Sequence, residues 1–147
     1  MVQDSSPRGR ISAAAQRCGE GLLVQRCIDL LSGRNPVPEA ALLDVLGGNS
    51  ARAVMAGHEG GVDGHWPRVW ALRTFLYVWD PRAEHEVAAA GGDDHWRVRE
   101  MAAKVLAARR ATSGESERLL HRLLTDSHER VRAAAARALT VVSHGNC

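Results

Sequence analysis

Apolar residues recur at intervals of three and four along the C-terminal third of the chain, with polar residues between them. Residues 98–106 place five apolar side chains at i, i+3, i+4, i+7 and i+8, and residues 131–139 repeat that spacing. This period is typical of one face of an amphipathic helix. A stripe of leucines over residues 119–124 forms another such face between the two. The pattern therefore predicts pairs of helices joined by short turns.

The two C-terminal stripes belong to a longer internal repeat. Residues 93–106 align without a gap on residues 126–139, 33 positions later, and share Asp, His, Arg, Val, Arg, an Ala pair and a closing Leu. A period of this size indicates a solenoid, in which each unit buries its apolar face against its neighbours. A weaker copy with one inserted residue begins at His65. We predict the clearest units at residues 65–92, 93–125 and 126–143.

The rest of the chain also follows a helical pattern and shows no strand. Gly-rich or Pro-containing breaks separate the elements. The predicted helices are Ile11–Leu31 with a break at Gly19–Gly21, Pro38–Leu46, Ser50–Ala56, Pro67–Trp79 and Arg82–Ala90, the last one begun by Asp80 and ended by Gly91. Residues 57–64 are expected to form an irregular loop.

Several polar residues are placed to begin helices. Asp126 is a predicted N-cap that Glu129 could complete as a capping box, and Thr112 or Ser113 could cap the helix between the two copies. His95 and His128 occupy the same position in the two copies. A residue that recurs at a fixed repeat position usually has a structural role, so we expect both histidines to cap or pack in their turns.

The motif of an Asp, five residues and an Arg, with Val before the Arg and an Ala pair after it, resembles HEAT repeats. More narrowly, it is similar to the HEAT-like repeats of phycobilisome lyases. The resemblance implies an all-α fold, an α-α superhelix of about four helical hairpins. It also implies a structural ladder formed by Asp93 with Arg99 and Asp126 with Arg132. The preceding unit has Gly64 and Trp70 at these positions, so either the ladder ends there or the first repeats pack differently.

The length and composition fit one soluble domain. The 147 residues allow about four units, and we assign residues 1–10 to a flexible tail and residues 11–147 to a single solenoid domain. The polar start of the chain lacks the pattern of a signal peptide, and no apolar run reaches the ~20 residues of a membrane span. We expect a cytoplasmic, bacterial protein with no membrane contact.

The charge is uneven along the chain. Residues 95–147 carry ten Lys or Arg and five Asp or Glu, a balance of +5, whereas the whole chain has a net charge of +2. A basic half could bind an acidic protein or a phosphate backbone. Alternatively, the arginines coat the outer faces of helices.

Few residues indicate a catalytic or metal site. The segment from Gly57 to His65 holds two imidazoles and two carboxylates, but its four glycines make it a poor metal cage and its spacing matches no ligand signature. No nucleophile motif or phosphate-binding loop is present. We therefore predict no catalytic residue, no metal and no cofactor. Cys18 and Cys27 are expected to be buried, and Cys147 to be exposed.

The tryptophans are the most suggestive residues for function. All four lie between positions 66 and 96, and exposed Trp near Arg is enriched at binding hot spots. In stacked units, the turns that carry Trp66 and Trp96 would lie side by side. The alternative is that both indoles pack over neighbouring turns. The predicted partner-binding residues are Trp66, Trp70, Arg73, Trp96, Arg97 and Arg99.

Three functions follow from these observations. The first is a non-catalytic scaffold that presents a Trp and Arg surface to a protein partner. The second is nucleic-acid binding, since alkylpurine DNA glycosylases are built from similar repeats, with Arg on the concave face and Trp and Asp at the lesion. Trp79, Asp80 and the C-terminal arginines of this chain are similar to that set. The third is a subunit of a bilin-lyase type enzyme. We favour the first.

Overall fold

The computed structural model describes residues 5–33 and 40–144. These residues form helices and turns and contain no strand, which confirms the predicted all-α class. The chain divides into two compact units, Met1–Asp80 and Pro81–Cys147. The division falls inside the predicted repeat 65–92, and the organisation as one domain stays a prediction.

The N-terminal unit is built from five α-helices and a 3₁₀ segment in the described residues. These are α1 (Pro7–Cys18), α2 (Glu20–Ser32), α3 (Ala40–Gly47), α4 (Asn49–Met55), the 3₁₀ segment His58–Asp63 and α5 (His65–Thr74). Helix α2 packs against α1 and α5, and α3 packs against α1, α4 and α5. The core lies between α1, α2, α3 and α5 and includes Ile11, Val24, Leu43 and Leu72, all fully buried.

Helix ends in this unit follow the glycines. Gly19 separates α1 from α2 with φ of +90°, a conformation that side-chain-bearing residues rarely adopt, so the break predicted at Gly19–Gly21 is confirmed. Helix α1 begins at Pro7, so the prediction of a tail through residue 10 is wrong; Ser6 caps this helix by accepting from the N–H of Gly9. The predicted start of α3 at Pro38 and the position of Cys147 lie outside the described residues.

Helix α5 is shorter than the apolar pattern predicted. It ends at Thr74, and hydrogen-bonded turns carry the chain on to Val78. The Thr74 hydroxyl also donates to the carbonyl of Trp70. Trp79, beyond these turns, is only half-buried, with its ring edge-on to Phe75. The predicted irregular loop at residues 57–64 contains a 3₁₀ segment whose Glu59, Gly60 and Gly61 are non-helical.

The C-terminal unit consists of two helical hairpins. It contains a 3₁₀ turn (Pro81–Ala83), α6 (Glu84–Ala90), α7 (Trp96–Ala108), α8 (Gly114–Leu123) and α9 (Glu129–His144). Helix α6 packs against α7 and α8 against α9, and the hairpins stack α6 on α8 and α7 on α9. This is the packing of successive solenoid units. Both predicted apolar stripes face this core, with Val98 and Val131 fully buried.

The short helices of the two hairpins are joined by polar contacts. The carboxylate of Glu84 on α6 accepts from the Ser116 hydroxyl at 2.8 Å and from the Ser113 N–H at 3.2 Å. Burial would raise the pKa of Glu84, but these hydrogen bonds outweigh it and lower the pKa. Ser113 is also the N-cap of α8, as predicted, because its hydroxyl accepts from the N–H of Ser116.

Three further predictions about single residues are settled by the structure. Cys27 is fully buried, but Cys18 is exposed at the end of α1, so its predicted burial is wrong. Asp126 does not cap α9 directly, because that helix begins at Glu129. Its carboxylate instead accepts from the N–H of His128, two residues later, and orders the turn before the helix.

No helix in the described part of the chain is long and apolar enough to cross a membrane.

Candidate functional site

Arg99 connects the two hairpins of the C-terminal unit. Its Nε and Nη2 donate to the two carboxylate oxygens of Asp126 at 2.8 and 3.1 Å, in a bidentate ion pair. Its Nη1 donates to the main-chain carbonyls of Asp93 and Asp94, both at 2.9 Å. Only 15% of the Arg99 side chain and 9% of that of Asp126 are exposed. Arg99 is thus a residue of the repeat interface, and its predicted contact with a partner stays a prediction.

The other members of the predicted ladder repeat part of this geometry. Arg132 donates to the carbonyl of Asp126 at 2.7 Å, as Arg99 does to the carbonyl of Asp93, six residues earlier. The carboxylate of Asp93 accepts from the N–H of His95, and that of Asp126 from the N–H of His128, both at 2.9 Å. The Asp and Arg spaced six apart therefore close the turn within each repeat, and the ion pair of Arg99 joins one repeat to the next.

Arg99 and the backbone around it lower the pKa of Asp126. Burial alone would raise this pKa. The hydrogen bond from Arg99, that from the N–H of His128 and the positive charge of Arg99 together outweigh burial, so the pKa lies below the usual value of an aspartate. Asp126 is therefore held as a carboxylate in the folded protein.

The two recurrent histidines cap the long helices. Nδ1 of His95 accepts from the N–H of Arg97, and Nδ1 of His128 accepts from the N–H of Arg130, each at 3.2 Å. His95 is the N-cap residue of α7, with extended backbone angles. The predicted structural role of both histidines is confirmed. Since Nδ1 is the acceptor in each case, the proton of the neutral ring is on Nε2.

The N-terminal ends of α7 and α9 carry a stack of planar side chains, here named the Trp96 edge and consisting of Trp96, Arg97, His128 and Arg130. The indole of Trp96 lies parallel to the imidazole of His128, with ring centroids 3.9 Å apart and an angle of 7°. The guanidinium carbons of Arg97 and Arg130 lie 4.4 and 5.5 Å from the indole centroid, within cation–π distance. Trp96 packs over the neighbouring turn, as one of our two interpretations proposed, and yet stays partly exposed.

A buried carboxylate holds one side of the Trp96 edge. Glu100 is 8% exposed and accepts from Nε of Arg130 at 3.0 Å. Lys104, one helical turn further along α7, lies 3.5 Å from the other oxygen of Glu100. The side chain of Arg130 is 57% exposed despite this ion pair. The edge thus places an aromatic ring and two guanidinium groups together at a partly exposed site.

Trp70, predicted to face a partner, is buried. It is 4% exposed and packs against Gly47 at the end of α3. A Cβ at position 47 would lie 2.5 Å from the indole, so the ring occupies space that only a glycine leaves open. The prediction that Trp70 is an exposed contact is therefore wrong. Gly47, 23 positions earlier, has no side chain and so leaves room for the indole in the core.

Arg73 and Arg10 both bind the last carbonyls of α3. Nη2 of Arg73 donates to the carbonyl of Leu46 at 2.6 Å, and Nε of Arg10 donates to that of Val45 at 3.0 Å. Cations are favourable at this end of a helix because the carbonyls there lack intrahelical partners. Burial and then the positive charge of Arg10 lower the pKa of Arg73. Arg73 thus has a structural role that the sequence did not indicate.

Trp66 lies beside Trp70 with its ring partly exposed. The two rings are stacked with centroids 6.4 Å apart, and Nε1 of Trp66 donates to the carboxylate of Glu59. Glu59, Trp66, Trp70 and Arg73 line a cleft of about 370 Å³ together with residues of α4. The cleft and the Trp96 edge belong to different units, and the side-by-side arrangement of the Trp66 and Trp96 turns stays a prediction.

Comparison with known proteins gives the family. HEAT repeats match residues 67–141, just over half of the chain. The chain belongs to the HEAT-repeat family. No curated protein and no solved structure matches it.

The HEAT match covers the residues that carry the strongest internal repeat. It runs from α5 to α9 and includes Arg99, Asp126 and the whole Trp96 edge. The predicted HEAT-type repeat architecture is thereby confirmed. Residues 11–60 precede the match, so the assignment of true repeats there stays a prediction.

The His58–His65 segment of this HEAT-repeat protein shows no metal-binding geometry. In the described residues, no three or more His, Cys, Asp or Glu side chains are grouped so that they could hold a metal ion. Glu59 instead accepts from Trp66, and the ring of His65 packs at 4.8 Å from that of Trp66.

Proposed function

We propose that this HEAT-repeat protein is a non-catalytic scaffold that binds a protein partner through the Trp96 edge. The observation that carries the proposal is the indole of Trp96, held flat on His128 between two guanidinium groups and still partly exposed. A fixed Trp with flanking Arg has the composition of a binding hot spot. Its side chains lose little conformational freedom on binding because they are already ordered.

The charge of the Trp96 edge favours an acidic partner. Arg97 and Arg130 place two guanidinium groups beside the ring, and one carboxylate, that of Glu100, is bound to Arg130. Helical repeat proteins present extended surfaces to their partners, which agrees with this assignment. A cytoplasmic location and the narrower likeness to repeats of phycobilisome lyases are parts of the same proposal.

A capture experiment with matched variants tests the proposal. The wild-type chain, Trp96→Ala, Arg97→Gln and the control Arg118→Gln are immobilised and exposed to an extract of the source cells. Arg118 is exposed on α8, and its substitution by Gln removes the same charge as the substitution of Arg97. We expect one protein to be retained by the wild type and the control and lost from the other two variants. Equal retention by all four folded chains contradicts the proposal.

A titration with DNA tests the alternative function, nucleic-acid binding. A labelled DNA duplex is titrated with the wild-type chain at low and at physiological salt. Phosphate contacts release counterions, so binding to the duplex would weaken steeply as salt rises. The scaffold proposal expects no duplex binding that depends on Arg97 or Arg130. Salt-sensitive binding that Arg97→Gln weakens would replace it.

A further inference from the structure

The cleft beside Trp66 in the N-terminal unit is lined by aromatic rings and by the guanidinium of Arg73. It lies between α4, the 3₁₀ segment and α5, with a volume of about 370 Å³, a common size for a small-molecule site. Trp66 and Trp70 form its aromatic wall, and Val54 and Ala53 add apolar surface. Trp66 is fixed by its hydrogen bond to Glu59 and by the stack on Trp70.

Arg73 supplies the positive charge of the cleft. Its Nη2 is bonded to the carbonyl of Leu46, whereas in the described residues its Nε–H is buried with no hydrogen-bond acceptor. The side chain of Arg73 also lines the cleft, and hydrogen bonds between charged groups are among the strongest in proteins. Burial and the positive charge of Arg10 lower the pKa of Arg73, which shows that the guanidinium lies in an unfavourable place for a cation. An anionic ligand would therefore offset an unfavourable concentration of positive charge.

We propose that this cleft binds a small aromatic carboxylic acid, with the ring of the ligand against Trp66 and its carboxylate at the guanidinium of Arg73. The aromatic wall selects a planar group, and the guanidinium selects a carboxylate over a neutral polar group. Glu59 is the opposing charge in the cleft and limits the affinity for an anion. This inference does not depend on the protein-binding function of the Trp96 edge.

A series of three ligands of one shape tests the proposal. Indole-3-acetate is anionic, indole-3-acetamide is its neutral analogue, and tryptamine is cationic. Binding is followed by two-dimensional NMR of the ¹⁵N-labelled full chain, with the side-chain N–H of Trp66 as reporter. We expect the acetate to bind about tenfold more tightly than the amide, the factor that corresponds to one charged hydrogen bond. Equal affinities for acetate and amide, preference for tryptamine, or no binding by any of the three would overturn it.

Variants assign the charge preference to particular residues. Arg73→Gln should reduce the affinity for indole-3-acetate to that for the amide, while Arg97→Gln, outside the cleft, should leave both unchanged. Because Arg73 also binds the end of α3, its loss could unfold the unit, so Glu59→Gln provides a second test. Removal of this negative charge should strengthen acetate binding and leave amide binding unchanged. A Glu59→Gln variant that binds acetate more weakly contradicts the proposal.

Discussion

Arg99 binds Asp126 of the following repeat with two hydrogen bonds, at 2.8 and 3.1 Å, and binds the turn of its own repeat with a third nitrogen. Arg132, at the equivalent position of the next repeat, is exposed and bonds to the carbonyl of Asp126. The same residue type in the same register thus differs in whether it joins two repeats. Arg99 and Arg132 therefore form a matched pair, and substitution of each measures how much the ion pair between the repeats contributes to the free energy of unfolding.

Arg99→Leu should destabilise the protein by about 2–3 kcal/mol, because it removes charged hydrogen bonds and leaves the carboxylate of Asp126 buried without its partner. Arg132→Leu should cost less than about 1 kcal/mol, since its side chain is exposed. Urea unfolding followed by circular dichroism measures both. Equal losses for the two variants would show that the ion pair between the repeats contributes nothing beyond the turn contact.

The stability of the protein should fall in acid partly through Asp126. Its pKa is lowered in the folded state, so its stabilising contribution is complete above the unfolded value of about 3.9. That contribution disappears as the pH falls through the lower, folded pKa. The urea midpoint of the wild type should therefore drop below about pH 4, and that of Asp126→Asn should start lower and drop less. Parallel curves for the two proteins would contradict this role.

Two adjacent glycines test the packing between the hairpins. A Cβ at Gly91 would lie 2.3 Å from the side chain of buried Leu119, whereas a Cβ at Gly92 would meet its nearest neighbour at 3.5 Å. Gly91→Ala should therefore destabilise the protein by about 1–3 kcal/mol, the usual cost of overpacking. Gly92→Ala should be close to neutral. If thermal unfolding shows the same midpoint for both variants, Leu119 moves aside and the packing is looser than described.

The two described cysteines should differ strongly in reactivity. Burial raises the pKa of Cys27 to about 12, against a weaker opposing effect of a hydrogen bond with Thr74, and the residue is fully enclosed. Cys18 is exposed. In a Cys147→Ser background, a thiol reagent at pH 8 should modify one cysteine quickly and the second only after urea is added. Rapid modification of two cysteines in native buffer would show that α2 opens readily.

The helices could be predicted from the sequence because their apolar periodicity is local. The buried stripes of α7 and α9 and the capping histidines follow from spacing within a few residues, and the structure confirms them. Helix α5 ends earlier than predicted, and after it the N–H groups of Phe75, Leu76 and Tyr77 bond three residues back, as in a turn. Because such tight turns keep apolar residues at nearly the same spacing, hydrophobic periodicity does not show where the helix ends.

The candidate site was harder to predict because its contacts are not local. The burial of Trp70 depends on the missing side chain of Gly47. The stack of Trp96 on His128 joins positions 32 apart, close to the repeat length. The position one repeat after Trp96 is Glu129, so His128 could have been anticipated only as the neighbour of that equivalent position. The aligned copy has Glu129 where the first copy has Trp96, so the two copies differ at the position of the partly exposed indole.

Site-specific photo-crosslinking from the Trp96 edge is the most direct test of the account. A photoreactive amino acid replaces Arg97 in one chain and Arg118 in another, and each is irradiated in an extract of the source cells. Since Arg97 lies 4.4 Å from the ring of Trp96, we predict that position 97 crosslinks to one protein, and that Trp96→Ala abolishes this product. Crosslinking to that protein from position 118 alone, or to nucleic acid from position 97, would contradict the assignment of this edge as a protein-binding surface.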